Sequence, residues 1–155
     1  MKSTIQLTAL LLVITNAAIF LSCDENDETP KKAKRELLTA GPWKRTALTS
    51  NPAYDWNANG VSDTDVLSIM FPCEKDNFDE YKANGIVETN EGPTKCNSTD
   101  PQTWTETWEL IDNEIFYADY EYKYTLVEVT ETTLKLTVTF EENGVTYTQD
   151  EAYSH

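Results

Sequence analysis

Asp55, Asn57 and Asn59 stand at alternate positions ahead of Gly60, followed by Val61, Asp63 and Asp65. Side-chain oxygens at loop positions 1, 3 and 5, a glycine at 6 and a main-chain carbonyl at 7 make the donor set of a calcium cage, which Asp63 at position 9 extends. Position 12, where a bidentate Glu is expected, holds Val66, and Asp65 comes one residue early. The expected cofactor is therefore a weakly held structural Ca2+, in the ~10⁻⁴ to 10⁻³ M range of extracellular modules; the alternative is an Asn/Asp-rich turn between strands. Aromatic residues form a second candidate set. Trp104 and Trp108 share one parity, as do Phe116, Tyr120, Tyr122 and Tyr124 further on. On strands they are candidates to line a ligand pocket whose tyrosine hydroxyls give polar handles, with a packed core as the alternative. Glu106 lies between the two tryptophans on the same parity, so it faces inward with a partner or is exposed at a rim. The single histidine is the last residue, His155. That position suits neither a buried general base nor a structural zinc ligand. With no nucleophile–base pair and no phosphate-cradling glycine loop, the chain does not read as an enzyme.

The elements that hold these residues belong to one domain. The chain has 155 residues, with 27 Asp+Glu against 12 Lys+Arg and a formal charge of -15. A quarter of the residues are charged and 39% are apolar, a balance that fits one ordinary core. The acidic excess repels phosphate, so nucleic acid is not an expected partner.

Lys2 precedes a largely apolar run from Leu7 to Leu21 that is interrupted at Thr15 and Asn16. At about fifteen residues the run is short for a bilayer span and suits a secretory signal. Phe20, Leu21, Ser22 and Cys23 resemble the lipobox of bacterial lipoproteins, which implies that Cys23 is diacylated and becomes the mature N-terminus. Two acyl chains hold a protein durably on a membrane where one does not. The acidic cluster from Asp24 to Glu28 resembles the surface-export signal of lipoproteins in the Bacteroidota. The expected organisation is a signal peptide over 1–22, a flexible tether over 23–40 with an acidic and then a basic half, and a folded domain over 41–155. The expected location is the outer membrane, lipid-anchored and surface-exposed rather than periplasmic. With Cys23 taken by lipid, Cys73 and Cys96 remain as an even pair in an oxidising compartment, where they should form a disulfide.

From Trp43 onward the hydrophobic period is two. Leu134, Leu136, Val138 and Phe140 fall on one face, and Thr133, Lys135, Thr137 and Thr139 on the other, as expected of a strand with one buried face. Asn143 and Gly144 then mark a tight hairpin to the strand beginning at Val145. Further strands are expected over 43–48, 66–71, 77–83, 86–90, 104–111, 115 onward and 124–130. Short strands joined by tight turns give an all-β fold, and an up-and-down antiparallel barrel leaves no open edge where a two-sheet sandwich would.

Gly41, Pro42 and Trp43 match the Gly-x-Trp signature of lipocalins. The order of the 55–65 loop, Cys73, Asn84 with Gly85, and Cys96 resembles the lipocalin-like lipoproteins of Bacteroidota over nearly all of residues 41–140. That resemblance implies a short barrel of about eight strands with Trp43 plugging its closed end. The family is defined by fold and its members mostly have no assigned activity. The expected function is thus a membrane-anchored, non-catalytic and monomeric module that binds a small apolar or amphipathic ligand. The alternative is a surface structural or interaction module whose solid barrel meets a protein or a glycan.

Overall fold

The structure, a computed structural model, describes residues 31–118 and 123–155. The signal segment, Cys23 and the first part of the tether lie outside the described residues, as do Tyr120 and Tyr122. No helix among the described residues is long and apolar enough to cross a membrane.

Eight antiparallel strands close into a barrel: β1 (Pro42–Tyr54), β3 (Phe78–Tyr81), β4 (Ile86–Asn90), β5 (Thr103–Ile111), β6 (Glu114–Tyr117), β7 (Lys123–Val129), β8 (Thr133–Glu142) and β9 (Val145–Ser154). Each pairs with its sequence neighbour, and β9 returns to pair with β1 from Lys44↔Ser154 to Asn51↔Thr148. The short β2 (Asp63–Asp65) lies against the far half of β1. The near half of β1 takes β3 at Pro42, Trp43 and Lys44.

Strand β8 shows why these residues form this sheet. Leu134, Leu136 and Val138 are buried at alternate positions, so a slip of one residue would turn the whole apolar set into water. Its hairpin to β9 has positive φ at both central residues, 53° at Asn143 and 77° at Gly144. That is the type I′ geometry whose twist matches the strands it joins. In β1 a register shift between Arg45 and Ala47 inserts one extra residue. Arg45, opposite Tyr153, and Leu48, opposite Glu151, therefore both face inward although they differ in parity.

Two expectations are corrected here. The 66–71 segment is not a strand: Val66–Ile69 forms the short helix α2. Asp65 caps it by accepting from the Ser68 amide at 3.1 Å, and the i, i+4 spacing of Val66 and Met70 places both against Leu48 in a small second core. Nor is the tether flexible to residue 40, because Lys31–Leu38 forms the helix α1. Leu38 is fully buried, and its carbonyl accepts the Trp43 indole N–H at 2.8 Å. The basic residues that read as a solvated run are docked: Lys34 donates to Asn113 at 2.8 Å, and the Arg35 guanidinium lies 4.5 Å over the Trp108 ring. Long basic side chains can cover aromatic surface while the charge stays wet, which a reading by charge overlooks.

The disulfide joins Cys73, in the helix α3 (Pro72–Lys75), to Cys96 in the β4–β5 connection. It spans 23 residues and encloses the β3–β4 hairpin. The chain-entropy account gives such a loop about 3 kcal/mol of stabilisation.

Candidate functional site

The barrel has a plugged end and an open one. At the plugged end Trp43, with no exposed surface, packs among Leu38, Leu134 and Tyr153 in the main core. His155 stacks on Trp43 with ring centroids 3.8 Å apart, and its Nδ1 lies 2.8 Å from the Pro42 carbonyl. The lone histidine is thus part of the plug.

A polar layer crosses the barrel above this core. Arg45 Nε donates to Glu151 at 3.0 Å and Arg45 Nη2 donates to the Tyr153 hydroxyl at 3.2 Å, while that hydroxyl donates to Glu151. Burial works against the Arg45 charge, but Tyr153 and Glu151 beside it outweigh this and hold the guanidinium proton more firmly than usual. Thr89 donates to Asp79 at 2.6 Å. Burial pushes the Asp79 carboxyl up, against the pull of Thr89 and Arg45. Tyr81 and Tyr117 share a hydrogen bond, and burial drives both phenols well above their ordinary range, so they act as neutral hydrogen-bonding groups.

Above and beside this layer lie two chambers that share Arg45 and Tyr124. The larger, about 430 Å³, is lined by Leu48, Val138 and Phe140 along its walls, Gln149 and Glu151 deeper in, and Tyr54, Trp56, Glu141 and Glu142 at the mouth. The smaller, about 220 Å³, is lined by Asp79, Thr89, Glu106 and Tyr117. Gln149 is 5% exposed, and its side-chain nitrogen has no acceptor among the described residues. Tyr54 donates to Glu142 at 2.5 Å, a bond that raises the pKa of the phenol.

The aromatic candidates scatter. Tyr124 lines both chambers. Trp104 stands at the edge of the smaller one and is 44% exposed. Trp108 faces inward but belongs to the packed core, edge-on to Tyr81 at 5.1 Å. Phe116 is a correction: it points outward under the Lys123 ammonium and lines, with Arg35 and Trp108, a separate groove of about 490 Å³. The parity count that placed it inward ran through 118–122 as one strand. The chain instead breaks between β6 and β7, and Phe116 pairs with Lys123 while Ile115 pairs with Tyr124. Glu106 lines the smaller chamber. Arg45, Glu151 and Gln149 carry no signal in a reading that assigns polar residues to the wet face. Phe140 stood in plain view at the end of the alternating β8 run.

The acidic loop leaves the end of β1 beside the mouth and runs through Trp56 into β2. Asp55 accepts from the Asn59 and Gly60 amides at 3.0 and 2.8 Å, Asn57 accepts from the Asn59 amide at 3.3 Å, and Asn59 accepts from the Val61 amide at 2.7 Å. Asp63 and Asp65 open and close β2, and Asp65 is engaged as the α2 cap. Among the described residues, no group of three His, Cys, Asp or Glu converges as metal ligands do.

No protein-family model and no curated protein matches the chain. Among solved structures, it is similar to that of the siderocalin Ex-FABP, described as functioning through dual ligand specificities, at 17% identity over 76% of this chain and 69% of that one, with a TM-score of 0.42.

Proposed function

We propose that the chain is a lipid-anchored, lipocalin-like, non-catalytic module that takes a small amphipathic molecule into its barrel. The observation that carries this reading is the chamber of about 430 Å³, with apolar and aromatic walls and a few polar groups at its depth. That size falls in the roughly 300–1,000 Å³ range of small-molecule sites. It favours a ligand over a solid barrel that works through its outer faces alone. Support for the anchor comes from Ser22 and Cys23 behind an apolar run. The helix α1, which follows this segment, leads into the plugged end of the barrel.

Nile red, an uncharged apolar dye, should bind saturably at one site with a blue-shifted emission. Val138→Trp, which places an indole in the chamber, should weaken that binding at least tenfold with an unchanged circular dichroism spectrum. Absence of one-site binding by the wild-type chain would remove the ligand reading. For the anchor, Cys23→Ser should move the exported protein from the membrane to the soluble fraction; a variant that stays on the membrane would remove that part.

A further inference from the structure

We infer that the mouth of the barrel selects the positively charged head of its ligand, so that the bound molecule is an organic cation with an apolar body. The inference rests on the ligand reading above and adds the chemistry of the head group. Two aromatic rings, Tyr54 and Trp56, line the larger chamber at its mouth, and a third, Phe140, lines its wall beside Tyr54. The Tyr54 ring stands nearly perpendicular to the other two, at 72° to Trp56 and 88° to Phe140, with centroids 6.1 Å away in each case. In such pairs the edge of one ring meets the face of the other; the rings also line the chamber, and aromatic faces carry the negative part of the ring quadrupole.

Charge points the same way. Glu141 and Glu142 line the same entrance, and Glu142 is held in place by the Tyr54 hydroxyl. Arg45 is the cation among the residues lining the chamber, and it is matched at 3.0 Å by Glu151. A carboxylate-headed amphiphile would therefore enter past two carboxylates, Glu141 and Glu142, and find the Arg45 guanidinium already paired. A quaternary ammonium needs no hydrogen bond, gains from ring faces and carboxylates together, and leaves its alkyl chain to Leu48 and Val138. The field of a chain with formal charge -15 draws such a molecule in and repels its anionic counterpart.

Three probes with the same ten-carbon chain separate the possibilities by calorimetric titration at about 0.15 M salt, where loose surface attraction is screened. Decyltrimethylammonium should bind about tenfold more tightly than 1-decanol, and decanoate more weakly than either. Trp56 is 42% exposed, so Trp56→Ala should fold normally; it should weaken the ammonium probe about tenfold and decanol less than threefold. Glu142→Gln keeps the acceptor for Tyr54 and should reproduce the selective loss at roughly fivefold. Decanoate binding as tightly as the ammonium, or variants that weaken decanol and the ammonium equally, would overturn the inference. If Nile red binds and the three heads are not distinguished, the inference alone falls. If Nile red also fails to bind, the ligand reading falls with it.

Discussion

Replacing Trp43 with alanine should lower the unfolding free energy by about 4 kcal/mol. The indole is fully buried, its N–H is held by the Leu38 carbonyl at 2.8 Å, and its face is covered by His155. Truncation leaves a cavity at the base of the barrel and an acceptor without its donor. It also releases α1, since an eight-residue helix has little stability of its own and depends on what it packs against. Urea denaturation reads the global loss, and hydrogen exchange over 31–38 should show the helix opening before the strands do. Trp43→Phe keeps most of the volume but not the hydrogen bond, and should cost about 1–2 kcal/mol. A Trp43→Ala protein within 1 kcal/mol of the wild type would mean that the plug is not what secures this end.

Arg45→Leu should cost about 3–4 kcal/mol, for a different reason. Glu151 has 4% of its side chain exposed and takes its charge balance from Arg45. Without the guanidinium its carboxylate stays buried with the Tyr153 hydroxyl alone, and an unmatched buried charge is strongly destabilising. The double variant Arg45→Leu, Glu151→Leu should recover a large part of the loss, because removing both charges avoids the stranded one. The pH dependence gives a second readout through Asp79, whose pKa is raised by burial in the folded state. Above that folded value the charged carboxyl penalises the fold in full. As pH falls toward the ordinary aspartate range, the folded state takes up a proton before the unfolded state does, and stability from this group rises. Arg45 opposes that shift, so in Arg45→Leu the rise should begin at higher pH than in the wild type. Asp79→Asn, measured alongside, should abolish this component and stabilise the protein at neutral pH. A slope identical in all three proteins would show that Asp79 does not carry it.

The strand pattern was legible wherever one residue in two is apolar, as along β8, and wherever a turn demands positive φ, as at Asn143 and Gly144. The cysteine pair followed from counting, once Cys23 was set aside for lipid. What escaped was the inward polar layer. Arg45, Glu151 and Gln149 are the residue types that period-two reading sends to solvent, and they face inward because a partner or a cavity receives them. The extra residue after Arg45 hides it further, since no strict alternation relates it to Leu48. At the plugged end, α1 is written in charges that match a linker, and its docking depends on rings contributed by strands far along the chain. Phe116 shows the reverse fault, a parity carried through a break that the residues on either side do not announce.

The seam between β1 and β9 also has a kinetic side. Arg45 and Glu151, which bond diagonally across it, are 106 residues apart in sequence. A chain that has not yet ordered its last ten residues has β1 paired at Pro42, Trp43 and Lys44 on one side and at β2, with the other side open. Closing the ring is then a late, long-range event of the kind that places β-barrels among slow folders, in the roughly millisecond-to-second range. Until it happens, two unpaired edges are free to join those of a neighbouring molecule. The vulnerable moment in the life of this protein is the interval before its end finds its beginning.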